Sequence, residues 1–258
     1  MPDELTSTRN PRVRAAAALA RRRERRSTGR HLVEGPRAVA EALAAATVHE
    51  VFATAEALPD VLPEGVVAHT VPAHVLDVLA DARTPQGIVA VVATPRVGLE
   101  VLDAARLAVV LDQVSDPGNV GTVIRTADAA GADAVVVTAG SADPYGPKAV
   151  RAAVGSTYHL PIVTDVTLTQ AVDRARAAGH RTLGLDAAAP RSVHQLGRDD
   201  APLTLVLGSE AHGLSDRDGL DGTLAVPISP RAESLNAAAA AAVALFAASH
   251  ALGLVSDR

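Results

Sequence analysis

Residues 107–137 read LAVVLDQVSDPGNVGTVIRTADAAGADAVVV, and the order of elements in this stretch decides the fold. Two unbroken apolar runs, Leu107–Leu111 and Ala134–Thr138, flank residues 120–130, whose apolar side chains recur at helical spacing before Gly131. Strands that are apolar throughout are typical of parallel sheets with helices on both faces. The stretch therefore predicts a strand–helix–strand unit within an α/β fold that has a mostly parallel sheet.

The same alternation of strands and helices continues in both directions. Toward the C-terminus, Thr167 and Gln170 predict a capping box for a helix at 167–178. Further helices are predicted at 147–154 and 234–252, and strands at 182–186, 203–208 and 224–227. Toward the N-terminus, helices are predicted at 10–26, 36–46 and 72–79, and strands at 31–34, 48–54, 66–71 and 87–93. Because TPRVG at 94–98 is a linker candidate, we expect two domains, 1–95 and 106–258.

The composition excludes several classes of protein. Without cysteine there is no disulfide, catalytic thiol or Cys-ligated metal, and the nine histidines lack metal-ligand spacing, so no metal is expected. Only 2% of residues are aromatic, which argues against a module that stacks bases on exposed rings. The most apolar stretch, 237–248, is shorter than the ~20 residues of a membrane span, and no signal peptide is recognisable. We therefore expect a cytoplasmic protein with no membrane association.

The formal net charge of −5 is the sum of a basic N-terminal arm and an acidic remainder. Residues 1–40 contain ten arginines and four acidic residues, a net +6, which leaves −11 for the rest of the chain. A basic arm on an acidic body predicts a polyanionic partner. A solvated helix rich in arginine is the simpler interpretation, and the arm alone does not decide between the two.

Three loops follow predicted strands, where ligands of parallel sheets bind. They are DQVSDPGNVG at 112–121, GSEAHGL at 208–214 and PISPRAESLN at 227–236. The dinucleotide fingerprint is absent because Asp116 occupies its first glycine position, and the single lysine, Lys148, does not follow a glycine as in a P-loop. No Gly-x-Ser-x-Gly elbow occurs. Dehydrogenase, P-loop and serine hydrolase chemistry are therefore disfavoured.

In order and spacing, residues 116–127, 205–214 and 226–236 resemble the three signature motifs of the SpoU family. This family, also called TrmH-like, contains RNA ribose 2′-O-methyltransferases of the SPOUT superfamily, and the resemblance extends over residues 106–252. GPKAVRAAVGS at 146–156 looks like the family's connecting segment. The third motif departs from the family because it lacks the usual glycine between Ile228 and Ser234, and Ala153 stands where serine is frequent.

The resemblance implies an α/β fold with a mostly parallel sheet and a deep trefoil knot near the C-terminus. It implies a homodimer that transfers a methyl group from S-adenosylmethionine to a ribose 2′-hydroxyl, with 23S ribosomal RNA as the expected substrate. A transfer RNA substrate, or a non-catalytic RNA-binding protein of the same fold, is the alternative. The implied catalytic residues are Arg125, Asn119, Glu210, Ser234 and Asn236. The implied cofactor-binding residues are Leu207, Gly208, Glu210, Gly213, Val226, Ile228, Ser234, Leu235 and Asn236.

Arg125 is the residue whose implied role is hardest to reconcile with its chemistry. The family's arginine is held to assist removal of the hydroxyl proton, whereas a guanidinium stays protonated. We therefore expect Arg125 to bind the phosphate beside the target ribose and to stabilise the alkoxide, reaching the partner's cofactor across a helix-packed dimer. Simpler roles remain open: a surface arginine for Arg125, a helix cap for Asn119 and helix-start positions for Ser234 and Asn236.

The N-terminal region carries a second resemblance. RNPRV at 9–13, LVEG at 32–35 and TPQG at 84–87 are similar to the substrate-binding domain that precedes many such catalytic domains and is akin to small RNA-binding ribosomal proteins. This resemblance implies that the basic arm meets RNA. The candidate RNA-binding residues are Arg9, Arg12, Arg22, Arg26 and Arg30.

Overall fold

The computed structural model describes residues 3–198, 201–217 and 219–255, and the chain divides into two compact units. The first unit consists of the chain up to Pro95 together with Tyr145–His159, and the second consists of Arg96–Pro144 and the chain from Leu160 onward. Each unit has its own sheet and its own apolar core. No helix of the described ranges has both the length and the apolar character needed to cross a membrane.

The first unit is an α/β unit with a mixed five-stranded sheet. Its strands are β1 (Asp3–Glu4), β2 (Arg30–Glu34), β3 (Val48–Ala53), β4 (Val67–Thr70) and β5 (Ile88–Ala93). Its helices before Pro95 are α1 (Pro11–Ala18), α2 (Arg22–Thr28), α3 (Pro36–Ala45) and α4 (Ala73–Leu79). The strand order is β1-β4-β3-β5-β2, with β5 antiparallel to both neighbours. Helices α1 and α4 contribute to the core on one face, and α3 to the core on the other.

The single helix expected at 10–26 is wrong, because the structure divides the arm into α1 and α2. Leu19, only 4% exposed, caps the end of α1, and the buried side chain of Arg25 donates hydrogen bonds of 2.8 Å to the carbonyls of Leu19 and Ala20. Carbonyls at a helix end have no intrahelical partner, so this guanidinium stabilises the corner between the two helices. Gly29, with φ of +64°, ends α2.

The second unit is built on a six-stranded sheet in which every pair of neighbours is parallel. Its strands are β6 (Leu107–Leu111), β7 (Ala134–Thr138), β8 (Ile162–Val166), β9 (Arg181–Leu185), β10 (Leu203–Leu207) and β11 (Gly222–Leu224), in the order β11-β9-β10-β6-β7-β8. Its helices are α5 (Pro117–Ala129), α7 (Leu168–Ala177) and α8 (Ala237–Ala251). The parallel sheet expected from the apolar strands is confirmed, and so is the capping box of Thr167 and Gln170.

Two helices of the second unit begin at other residues than expected, and one strand was missed. Helix α5 begins at Pro117 because Asp116 accepts a hydrogen bond from the Asn119 backbone, and α8 begins after Asn236, which caps it. Strand β8 at Ile162–Val166 was not predicted. Only its first two residues are buried, so its apolar run is too short to stand out.

The segment Tyr145–His159, expected within the C-terminal domain, belongs by packing to the first unit. It contains α6 (Pro147–Ala153), whose Val150 is buried in the core formed with α3, β2, β3 and β5. Arg151 forms ion pairs with Glu34 (2.9 Å) and Asp81 (2.5 Å), and the hydrogen bond to Glu34 raises the pKa of Arg151. Burial raises the pKa of Tyr158, which is hydrogen bonded to His31. Sequence position alone does not reveal this packing, because Val150 finds its apolar partners in residues far along the chain.

Candidate active site

A cavity of about 220 Å³ lies at the carboxyl ends of β9, β10 and β11. Of the nine residues expected to bind a cofactor, all except Asn236 line this cavity. Sequence reasoning missed Leu185, Asp186 and Ala187, which line it from the end of β9, although the position of ligands at strand ends gave a signal for them. The structure thus brings two of the three signature loops around one concavity.

The loop after β10 is closed on itself by hydrogen bonds between its own residues. Ser209 and Gly213 exchange backbone hydrogen bonds of 2.9 and 2.8 Å, and the Ser209 hydroxyl accepts from the backbones of Ala211 and His212. Gly213 has a φ of +69°, and a Cβ on Gly208 would lie 2.3 Å from the carbonyl carbon of Gly213. Gly208 therefore has no room for a side chain, and Gly213 has a backbone conformation that favours glycine. The closed loop carries Glu210 into the cavity wall.

A buried carboxylate fixes the end of this loop to the sheet. Asp112, which is 2% exposed at the end of β6, accepts hydrogen bonds from the Ser215 backbone (2.9 Å) and the Thr138 hydroxyl (3.3 Å). Its own backbone N–H donates to the carbonyl of Leu207. The residues before and after the glycine loop are thereby held at one point of the sheet.

A chain of amide hydrogen bonds joins the three signature loops. The Asn236 side-chain oxygen accepts from the backbones of Ala238 and Ala239, so its Nδ2 donates to Oδ1 of Asn119 at 3.1 Å. Asn119 in turn donates through Nδ2 to Oε1 of Glu210 at 2.5 Å. Asp116, and not Asn119, caps the start of α5. The Asn119 side chain is therefore available for the hydrogen bonds to Glu210 and Asn236. Asn236 both caps α8 and takes part in this chain of bonds.

Arg125 lies apart from these hydrogen-bonded residues. It is six residues beyond Asn119 on α5, which places it about 9 Å farther along the helix axis and about 120° around it. Its side chain is exposed, and it forms no ion pair or hydrogen bond with any part of the chain that the structure describes. Ser234 is exposed too, but it lines the cavity.

The lining of the cavity suits S-adenosylmethionine, which combines an adenine ring with a positively charged sulfonium and an amino acid. Val226, Ile228 and Leu235 offer apolar surface for a ring, and the Glu210 carboxylate complements the positive charge. Leu207, Gly208, Val226 and Leu235 would hold the adenosyl group. Within residues 3–198, 201–217 and 219–255, no cluster of three or more His, Asp or Glu side chains could hold a metal ion.

The arginines of the arm are not equivalent. All five candidates are exposed, and Arg12 forms an ion pair of 3.3 Å with Glu50. None of these five candidates lines the groove at α1, whose described lining contains Arg14 and Arg21 instead. Arg25, indistinguishable from them in sequence, is the arginine that the fold itself uses.

Comparison with known families agrees with this geometry. The model of the SpoU rRNA Methylase family matches residues 106–246, and the model of the MRM3-like substrate binding domain matches residues 10–90. The 23S rRNA (guanosine(2553)-2′-O)-methyltransferase RlmP of Bacillus subtilis is 34% identical over 247 residues, which cover 94% of this chain and 98% of that protein. The 23S rRNA (uridine(2479)-2′-O)-methyltransferase of Streptomyces viridochromogenes is 36% identical over 175 residues, with coverage of 64% and 61%.

Solved structures agree as well. An AdoMet-bound rRNA methyltransferase from Sinorhizobium meliloti matches with a TM-score of 0.86 at 28% identity, covering 98% of this chain and 99% of that chain. The AdoMet complex of the SpoU methyltransferase AviRb from Streptomyces viridochromogenes has a TM-score of 0.81 at 30% identity, with coverage of 94% and 98%. The expected fold class, an α/β fold of the SPOUT trefoil-knot type, is confirmed. The chain belongs to the SpoU rRNA methylase family of S-adenosylmethionine-dependent RNA methyltransferases.

Proposed function

We propose that this chain transfers a methyl group from S-adenosylmethionine to a ribose 2′-hydroxyl of 23S ribosomal RNA. One observation carries the proposal: Asn119, Glu210 and Asn236, one from each signature loop, are joined by hydrogen bonds beside the glycine-loop cavity. A non-catalytic RNA-binding protein has no need of this arrangement. The relatives named as 23S rRNA methyltransferases support the choice of RNA.

In this proposal, S-adenosylmethionine supplies the electrophilic methyl group, and the chain positions the groups around it. Asn236 orients Asn119, and Asn119 holds one oxygen of the Glu210 carboxylate. The other carboxylate oxygen of Glu210 is left to accept a hydrogen bond from the ribose hydroxyl. Ser234 is placed to complete the polar edge of the cavity. Arg125 binds the phosphate beside the target ribose and stabilises the alkoxide that forms as the hydroxyl proton passes to this free oxygen of the Glu210 carboxylate.

A homodimer explains how Arg125 enters this site. Arg125 forms no hydrogen bond with Asn119, Glu210 or Asn236 of its own protomer, so we infer that it serves the cavity of a partner copy. Helix α8 offers a face for such pairing, because its Val243 and Phe246 are 37% and 46% exposed and its remaining side chains are mostly small. Small residues let helices approach closely, as the dimer requires.

The division of labour between the units completes the proposal. Residues 106–258 form the methyltransferase domain, apart from Tyr145–His159, which pack with the first unit. Residues 1–95 form the RNA-binding domain, in which Arg9, Arg12, Arg22, Arg26 and Arg30 contact phosphates. The match of residues 10–90 to a substrate-binding domain supports this assignment. With ribosomal RNA as substrate, the protein acts in the cytoplasm.

The first experiment separates the candidate functions. Isothermal calorimetry measures S-adenosylmethionine binding, and transfer of a labelled methyl group is followed on 23S RNA and on transfer RNA. We expect cofactor binding and incorporation into 23S RNA at one ribose, located by alkaline-resistance mapping. Cofactor binding with incorporation into transfer RNA alone would move the substrate to that RNA, and no binding at millimolar concentration would overturn the proposal.

The second experiment tests the shared site by complementation between two inactive chains. An Arg125→Ala chain keeps an intact cavity, and a Gly208→Ala chain keeps an intact Arg125. If Arg125 acts on the partner's cavity, a mixed dimer regains one working site, or about half the activity of a wild-type dimer at equal concentration. If Arg125 acts within its own protomer, the mixture stays inactive.

A further inference from the structure

A groove of about 630 Å³ lies on the first unit between α1 and α4. Its walls include Pro11, Ala15 and Ala18 from the α1 side and Val78 from α4, with Arg14 and Arg21 at its edge. We propose that this groove binds unpaired nucleotides of the RNA substrate, with two phosphates on Arg14 and Arg21 and a base against the apolar floor. The inference rests on the proposed function, because it takes RNA as the substrate.

The groove runs along α1 to the corner between α1 and α2. Helix α1 ends at Ala18, and the buried Arg25 holds the corner after it through the carbonyls of Leu19 and Ala20. Arg21, the residue before α2, lies beside the same groove as Arg14. Positions 14, 18 and 21 follow the spacing of one helical face, so both arginines project toward the same side of the arm.

The floor of the groove is apolar and open to solvent. Val78 is 49% exposed, although it is a large aliphatic residue on a short helix whose neighbours Leu76 and Leu79 are buried. The alanines of α1 are too small to fill the space above them. Exposed apolar surface inside a concavity indicates a ligand with an apolar face of its own.

The charge of the groove selects an anionic ligand. No carboxylate is among the described residues that line it. Arg14 is exposed, and the side chain of Arg21 is 71% exposed, with Glu24 at 3.8 Å as its weak partner. These two arginines lie in an arm whose first 40 residues carry a net +6. The combination of guanidinium groups with an apolar floor matches the phosphates and the base of a nucleotide.

The RNA bound here is single-stranded, because a paired base has no free face to place on the floor. Single-stranded sites commonly stack bases on aromatic rings, but Phe52 and Tyr145 of the first unit are 0% and 4% exposed, and its third such ring, Tyr158, does not line the groove. Arginine planes also stack on bases, so Arg14 and Arg21 serve both the phosphate and the base.

The test measures RNA binding to the full chain without cofactor, by anisotropy of a labelled 12-nucleotide single strand. Val78→Glu places a carboxylate on the floor, and we expect its affinity to fall about tenfold. Val61→Glu is the matched control, because Val61 is 84% exposed and lies outside the groove. Its affinity should equal that of the wild-type chain, and equal melting temperatures verify that both variants fold.

Two double variants test how many RNA phosphates the groove contacts. Arg14→Gln with Arg21→Gln should make the slope of log K against log salt less steep by about 1.4, since each single-strand contact contributes about 0.7. Arg37→Gln with Arg83→Gln removes the same charge from exposed positions outside the groove and should leave the slope closer to that of the wild type.

The outcomes for the groove and for the proposed function are distinct. If Val78→Glu and Val61→Glu bind the strand equally, the groove assignment is overturned even when the wild-type chain methylates RNA. A duplex of equal length that binds as well as the single strand would also overturn it. If Val78→Glu instead changes the oligomeric state in sedimentation, the groove contacts another protein chain and the inference fails. If the groove variants weaken RNA binding while no methyl transfer is found, the assignment of the groove to RNA is supported and the proposed function is overturned.

Discussion

The glycine-loop cavity and the arginine arm differ in how their polar side chains are held. At the cavity, Asn119, Glu210 and Asn236 fix one another through hydrogen bonds, and the buried Asp112 fixes the loop from below. In the arm, most arginines are exposed, and Arg25 is the member that the fold buries. Side chains that hold one another are ordered before the substrate arrives, whereas exposed arginines adapt to it.

The largest expected effect tests whether the cavity is as rigid as its hydrogen bonds imply. Gly208→Ala places a methyl group 2.3 Å from the Gly213 carbonyl carbon, which is backbone of a closed loop, so the loop must shift. Because a displacement of about 1 Å costs roughly a hundredfold in rate and the cofactor contacts are lost as well, we expect kcat/KM to fall about a thousandfold. Steady-state methyl transfer measures this effect.

Gly197→Ala is the control for that substitution, since nothing lies within 4 Å of a Cβ there. It should keep wild-type activity. If Gly208→Ala is equally active, the loop is adaptable and the contrast with the arm disappears.

Arg125 is the site residue that resembles the arm, because it is exposed and lacks the hydrogen bonds of its neighbours in the motif. We expect Arg125→Ala to lower kcat about a hundredfold, as for loss of one group that stabilises charge in the transition state. The dissociation constant for S-adenosylmethionine, measured by calorimetry, should not change. Arg125→Lys should restore part of the rate, since the charge remains, and a fully active Arg125→Ala variant would remove this residue from the mechanism.

The cavity and the arm show what could be predicted from the sequence and what could not. The motifs identified the residues around the cavity, because loops at the carboxyl ends of parallel strands meet at one edge of the sheet. The corner at Leu19, the burial of Arg25 and the packing of Val150 with the first unit depend on contacts between distant residues. Helical periodicity depends only on the spacing of residues along the sequence and not on such contacts, so it predicted one arm helix where two exist.

Within the arm, one substitution separates the structural arginine from the others. Arg25→Ala removes hydrogen bonds to two carbonyls at the end of α1, and we expect a loss of about 2 kcal/mol in the free energy of unfolding of the first unit. Arg23→Ala, at an exposed position of the same helix, should change it by less than about 0.5 kcal/mol. Urea unfolding combined with hydrogen exchange of residues 11–28 measures both. Equal effects would mean that the corner does not depend on Arg25.

The smallest expected effect concerns the pH at which the second unit loosens. Partial burial raises the pKa of Asp221, but hydrogen bonds from the Thr182 backbone, the Arg176 guanidinium and the Thr182 hydroxyl outweigh it and hold the pKa below its ordinary value. A lowered pKa in the folded state stabilises the protein above the unfolded-state pKa, and this contribution is lost as pH falls through the folded-state value. Because the side chain is 39% exposed, solvent screening keeps its contribution below about 1 kcal/mol.

Asp221→Asn should therefore lower the melting temperature slightly at pH 7 and make no difference at a pH below the folded-state pKa of Asp221. The described hydrogen bonds of the Arg25 corner run to backbone carbonyls, whereas β9 and β11 are held by a carboxylate, so acid should loosen these two strands more than the corner. Hydrogen exchange of residues 182–185 and 222–224, compared with residues 19–25, measures the difference. Equal loosening of both regions by acid would show that carboxylates do not set the stability of the second unit apart from that of the arm.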